Sequence, residues 1–154
     1  MHTQAQPGQP ASAEFFPTDP SGLPEATRPA LLELADGDEF HLRIAPVAKR
    51  LADSTMRMLG YNGSIPGPTL KVRQGSEVIV HVVNDGDLEG TVHWHGLRLD
   101  NAYDGVPHET QTPIPVGGGF TYRIRFPDPG LYWYHPHAPS LPPPRSRAVS
   151  RVGP

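Results

Sequence analysis

The sequence predicts an all-β domain built as an antiparallel sandwich or barrel. Short segments alternate apolar with polar residues, turns containing Gly and Pro separate them, and no long helical pattern occurs in the 154 residues. The 20 prolines and 16 glycines fall just short of the content, about 25–30%, at which composition alone indicates disorder. We therefore expect one turn-rich β domain flanked by unfolded segments.

Residues 1–37 predict a mostly disordered lead-in. They are rich in Pro, Gln, Ala, Ser and Thr and show little periodicity. One segment, residues 28–35, could form a helical turn or two, because Pro29 suits the first position of a helix.

Residues 38–137 carry the period-two pattern of strands. Phe40, Leu42 and Ile44 alternate with His41 and Arg43, which indicates a half-buried strand. The valines and isoleucine of residues 78–83 predict a strand buried on both faces. Further strands are predicted at residues 55–61, 91–99, 120–126 and 131–135, and turns at residues 62–68, 84–90 and 127–130.

Residues 138–154 change in character and predict a disordered tail. They contain no acidic residue and three arginines, and their apolar residues do not alternate. This change falls in the middle of the expected sandwich.

Composition excludes several classes of function. The chain has no cysteine, which excludes disulfides, iron–sulfur clusters, thiolate-bound zinc, a cysteine nucleophile and a blue-copper centre within this chain. A net charge of −3 without a basic tract before the tail argues against nucleic acid and anionic membranes as partners. No signal peptide or spanning segment is visible, so the chain as written is expected to be cytoplasmic.

Four of the eight histidines repeat one spacing. His93 and His95 flank Trp94, and His135 and His137 flank Pro136. Residues two apart on a strand share a face, so two adjacent strands would present four imidazoles together. Imidazoles without thiolate or carboxylate ligands favour copper or zinc. A single pair more often means surface histidines, and the second copy strengthens the metal hypothesis.

The neighbouring residues have simpler interpretations. The nearby aromatic residues, Trp94, Tyr132, Trp133 and Tyr134, are expected to pack a core around the site. The acidic residues that follow, Asp100, Asp104 and Glu109, indicate a solvated loop. The more specific alternative is that one of them accepts a hydrogen bond from a ligand histidine and orients it. No partner at ligand spacing is evident for the remaining histidines, His2, His41, His81 and His108, which are expected in the tail, on strand surfaces or in a loop.

Four segments together resemble the first plastocyanin-like (cupredoxin) domain of the multicopper oxidases, the laccase-like family. They are YNGSIPGPTL at residues 61–70, TVHWHGL at 91–97, DGVPHETQTPI at 104–114 and GLYWYHPH at 130–137. The resemblance covers about residues 38–137 and implies a Greek-key cupredoxin-like sandwich.

The resemblance also implies a copper site. His93 would bind the type 2 copper of a trinuclear cluster, His95 and His135 one copper of the type 3 pair, and His137 the other. In the family, a reducing substrate supplies electrons through a blue copper, and O2 is reduced to water at the cluster.

This sequence departs from the family pattern in two ways. The family's other four cluster histidines lie in a later domain, in a His-x-His and a His-Cys-His motif, and neither occurs here. We therefore expect a truncated domain that holds half of the cluster, needs a further cupredoxin domain and is inactive alone. The sandwich is also expected to lack its closing strand, because the Pro/Arg/Ser tail resembles a translated frameshift, with truncation or a genuine linker as alternatives.

Two other functions remain open from the residues. A non-enzymatic module could bind copper or zinc through the same four histidines. A zinc hydrolase could use three of them, although no general base stands beside them. Location also stays open, since family members are often exported.

Overall fold

The chain folds as a two-sheet sandwich. A computed structural model describes residues 17–137 and 148–153, and residues 1–16, 138–147 and 154 lie outside the described part. No helix within the described ranges has the length and apolar character to cross a bilayer. Across those ranges there are nine strands and one turn of 3-10 helix: β1 Leu31–Leu34, β2 Glu39–Leu51, β3 Ser54–Tyr61, β4 Thr69–Arg73, β5 Glu77–Asn84, β6 Thr91–His95, the helix Asn101–Tyr103, β7 Gly119–Arg125, β8 Gly130–His137 and β9 Ala148–Gly153.

The strands form a four-stranded sheet in the order β3-β2-β5-β7 and a five-stranded sheet in the order β1-β4-β9-β8-β6. The predicted all-β sandwich is thereby confirmed. The pairing is mixed rather than purely antiparallel, because β2 runs parallel to β5, and β4 runs parallel to both β1 and β9.

The core lies between the two sheets and is built by the alternation within each strand. One buried cluster contains Phe40 and Leu42 of β2, Val80 of β5, and Val92 and Trp94 of β6. Their neighbours in sequence point outward, as period-two strands require.

The expectation that β5 is buried on both faces is wrong. Val78, Val80 and Val82 are buried, whereas Ile79 is half-buried and Val83 is 41% exposed. No second layer covers this side of the four-stranded sheet among the described residues, so its outer face meets solvent.

The helical turn expected at residues 28–35 is a strand instead. β1 adds to the edge of β4, where the amide of Thr69 donates to the carbonyl of Ala30 at 2.8 Å, and Leu32 and Leu34 pack against the core. A helix this short is marginal in water. Sheet pairing and apolar burial therefore outweigh the local helical preference.

Residues 148–153 form β9. The expectations of a missing closing strand and of disorder throughout the tail are therefore wrong for these residues. β9 pairs with β4 on one side and β8 on the other. Without it, both neighbours would carry unpaired backbone groups at adjacent edges. The β-branched residues Val149 and Val152 favour a strand at this position.

Candidate metal centre

The two histidine pairs lie on adjacent strands and share one face. In the antiparallel register of β6 and β8, His93 is opposite His135, and His137 is opposite Thr91. The residues that alternate with them, Val92, Trp94 and Tyr134, are fully buried in the core. The histidines therefore project from the outer face of the five-stranded sheet.

Three of the four histidines approach one another closely enough to share an ion. His93, His95 and His135 each offer one ring nitrogen, and these three atoms lie within 4.8 Å of one another. The Nδ1 atom of His95 is 3.4 Å from the Nε2 atom of His135. Two nitrogens at the usual metal distance and a tetrahedral angle are separated by about 3.3–3.4 Å. This pair therefore has the spacing of two ligands on a single ion.

His137 stands slightly apart from this group. Its ring centroid is 6.1 Å from that of His93 and 6.3 Å from that of His135. Its Nδ1 atom is buried and has no hydrogen-bond partner within the described residues. The side chain thus offers a buried, uncommitted nitrogen beside the three-histidine group.

Backbone carbonyls orient two of the imidazoles. His93 Nδ1 is 2.6 Å from the carbonyl oxygen of Asp104, and His135 Nδ1 is 3.0 Å from that of Pro136. A carbonyl only accepts, so each Nδ1 carries the proton and each Nε2 keeps its lone pair. Both rings therefore present Nε2 as the available ligand atom.

The environment also favours the neutral form of His135. Burial lowers the pKa of His135, and the neighbouring His93, His95 and His137 lower it further, while the bond to the Pro136 carbonyl opposes them. Neutral imidazole is the form that binds metals.

The loop that orients His93 is held tightly against β6. Gly105 adopts φ +75°, and a Cβ atom built there would lie 1.9 Å from the carbonyl oxygen of Val92. The Thr91 hydroxyl donates to the carbonyl of Gly105 and lies 3.2 Å from that of His137. Sequence reasoning missed both Gly105 and Thr91, and the Asp-Gly pair at residues 104–105 was the available signal for a tight turn.

The acidic residues near the site have separate roles. Asp104 contacts His93 mainly through its carbonyl, and its carboxylate is farther away, at 3.5 Å. The Asp100 carboxylate accepts from the amide of Ala102 and caps the 3-10 helix. Of these two residues, Asp104 is the one that contacts the histidine site.

The aromatic residues divide between the core and the site. Trp94 and Tyr134 are buried and Tyr132 is partly buried against the core, as expected. Trp133 instead lies on the face of the histidines, with its ring centroid 4.5 Å from those of His95 and His135. It forms an apolar wall of the site rather than part of the core.

Comparison with known proteins identifies the family. The sequence model described as multicopper oxidase matches residues 45–149. The chain is 50% identical over 90 residues to Laccase-1 of Botryotinia fuckeliana, covering 56% of this chain and 16% of that protein. It is 49% identical over 83 residues to Oxidoreductase OpS5 of Beauveria bassiana, covering 52% of this chain and 14% of that protein.

A solved structure gives the same result. The crystal structure of Lac15 from a marine microbial metagenome superposes with a TM-score of 0.69 at 39% identity, covering 74% of this chain and 32% of that one. The fold is therefore cupredoxin-like, as the resemblance implied. The chain spans only 14–16% of the length of the two curated relatives. With the family model matching well over half of its residues, this chain belongs to the multicopper oxidase family.

Proposed function

We propose that His93, His95, His135 and His137 bind copper as half of a trinuclear cluster. His93 binds the type 2 ion, His95 and His135 bind one ion of the type 3 pair, and His137 binds the other. Family membership implies copper. The observation that carries the proposal is the convergence of three ring nitrogens within 4.8 Å on one sheet face.

The chain's own groups support this division of ligands. The 3.4 Å spacing of His95 Nδ1 and His135 Nε2 suits one shared ion. The ring of His137 stands more than 6 Å from its neighbours, which suits a different ion. The carbonyl of Asp104 fixes the tautomer of His93 and leaves its Nε2 free.

The remaining ligands would come from a further cupredoxin domain facing this sheet. The histidines project from the outer face, so a second domain can approach them without disturbing the core. Bound copper would supply the redox centre at which O2 is reduced to water with electrons from a reducing substrate. This chain has no cysteine and so cannot build a blue-copper site. We therefore expect the isolated chain to bind copper weakly and to lack oxidase activity.

Competitive copper titration tests the ligand assignment. Replacing all four histidines with Ala should remove the tightest class of copper sites, whereas His108→Asn, a loop histidine with φ +65°, should leave it intact. If the tightest copper sites of the quadruple variant have the same affinity as those of the parent chain, the assignment is refuted.

Assays of the isolated chain test its expected inactivity. No consumption of O2 is expected with a phenolic dye, because half of the cluster and the electron relay are absent from this chain. Robust dye oxidation would contradict the proposal. Copper and zinc binding with equal affinity would favour a non-enzymatic copper/zinc module instead, since copper normally binds such ligands more tightly.

A further inference from the structure

The opposite side of the sandwich carries a second histidine pair. The parallel register of β2 and β5 places His41 directly opposite His81, and their rings stack with centroids 4.9 Å apart and an interplanar angle of 25°. Their neighbours in sequence, Phe40, Leu42 and Val80, are buried, so both imidazoles project outward. Sequence spacing did not reveal this pair, because parallel pairing joins residues 40 positions apart.

A carboxylate completes the cluster. The Glu39 Oε2 atom lies 2.9 Å from Nε2 of His81, and the Thr121 hydroxyl oxygen lies 3.1 Å from Nδ1 of the same ring. Glu39 is on β2 and Thr121 is on β7, so three adjacent strands contribute to the cluster.

We propose that His41, His81 and Glu39 form a second binding site, for a divalent ion such as Zn²⁺ or Cu²⁺, on the outer face of the four-stranded sheet. Two imidazoles and one carboxylate form a ligand set suited to these ions, with the other coordination positions left to water. The site is independent of the proposed copper ligands on the other sheet, which form the His93 group (His93, His95, His135 and His137).

The contacts of His81 allow a metal ion to take the place of the proton on Nε2. Without metal, Nε2–H donates to the Glu39 carboxylate, so Nδ1 accepts from the Thr121 hydroxyl. A metal ion at Nε2 would bind the other neutral tautomer, in which the proton has left Nε2 for solvent and Nδ1 has taken one up, while Glu39 becomes a ligand. Nδ1–H would then donate to Thr121, whose hydroxyl can accept as well as donate. The ring keeps its orientation in both states.

His41 must move to complete the site. Stacked rings do not direct their nitrogens to a single point, so the His41 ring has to turn about its terminal torsion, which is broad for histidine. His41 is exposed, and no core contact opposes that rotation. The arginines two residues along from His41 and Thr121 are already paired, with Arg43 2.6 Å from Asp85 and Arg123 3.1 Å from Glu77. Their charges therefore oppose an incoming cation only weakly.

Zinc calorimetry on a background variant tests the proposal. This variant carries Ala at His2, His93, His95, His135 and His137, which removes the proposed copper ligands and the histidine nearest the N-terminus. We expect it to bind one equivalent of Zn²⁺ and not Mg²⁺, which prefers oxygen ligands. Adding His81→Ala or His41→Ala should weaken zinc binding by at least about tenfold, because even the loss of an outer partner costs about 10- to 100-fold.

Two controls separate ligand loss from general damage. His108→Asn in the same background should not change zinc affinity, and circular dichroism should show that each variant retains its fold. If the background does not fold, His81→Ala in the otherwise unchanged chain should lower the zinc stoichiometry by one. The proposal is overturned if the background binds no zinc, or if His81→Ala and His108→Asn weaken binding equally.

Discussion

At the residue scale, β6 and β8 alternate residues that pack in the core with residues that form the histidine site. On β6, Val92 and Trp94 are fully buried, while His93 and His95 project from the other face. On β8, Tyr134 is buried and His135 turns outward beside Trp133. The alternation of the strand therefore places each imidazole on a regular backbone, which positions it more precisely than a loop would.

Gly105→Ala should damage the site through the backbone. The new Cβ would meet the carbonyl of Val92 at 1.9 Å, and φ +75° is unfavourable for Ala. We expect the free energy of unfolding to fall by at least about 3 kcal/mol in urea denaturation. Displacement of the Asp104 carbonyl from His93 should also weaken copper binding by about 10- to 100-fold.

Gly117→Ala is the matched control for this backbone change. Gly117 has a similar φ of +78°, but nothing lies within 4 Å of its added Cβ. Its cost should be limited to about 1–2 kcal/mol, with copper affinity unchanged. Equal effects of the two substitutions would show that the close approach of Gly105 to β6 does not matter.

The histidine spacing predicts the four imidazoles and their shared face, because strand geometry alone fixes both. The same sequence does not reveal Thr91 or Gly105 as part of the site, since their role depends on a loop folding back across β6. The pair of His41 and His81 was also hidden. Its members meet only through a parallel register that no local pattern specifies.

At the element scale, β9 holds the five-stranded sheet together. It pairs with β4 through Leu70 and Val72, and with β8 through Gly130, Tyr132 and Tyr134. The strand that carries His135 and His137 thus has a partner on both sides. The alternating apolar pattern predicted most of the strands, but it missed β1, β4 and β9, which are short strands fixed mainly by the neighbours with which they pair.

Ser150→Pro should weaken this sheet from its middle. Ser150 is paired with Leu70 on one side and Tyr132 on the other, and proline removes an amide from a central ladder. We expect a loss of about 1–3 kcal/mol in thermal or urea unfolding, together with exposure of apolar surface to a fluorescent dye. Ser150→Ala keeps the amide and should differ little from the parent chain. Unchanged stability of the proline variant would argue against β9 as an internal strand.

At the scale of the whole molecule, one apolar core supports two outward faces with histidine clusters. The His93 group lies on the five-stranded sheet, and His41 and His81 lie on the four-stranded sheet. Core residues occupy the space between them, so the two clusters share no ligand. Metal binding at one face should therefore be measurable without the other.

Copper should stabilise the folded chain through the His93 group. A ligand at about 100 times its dissociation constant adds about 2.7 kcal/mol if it binds only the folded state, which corresponds to several degrees in Tm for a domain of this size. Differential scanning calorimetry should show this rise in the parent chain and a much smaller one in the quadruple histidine variant. The expectation fails if copper raises both Tm values equally.

The position of β9 also leads to an expectation about the order in which the chain folds during synthesis. In the strand order β1-β4-β9-β8-β6, only β9 connects the β1–β4 ladder to the β8–β6 ladder within that sheet. Two-stranded ladders are marginal by themselves, and β9 is the last of the described strands to be synthesised. When all four histidines of the His93 group have been synthesised, the chain thus still lacks the strand that joins the two ladders of their sheet. We therefore expect the His93 group to bind copper only after residues 148–153 have been synthesised and paired.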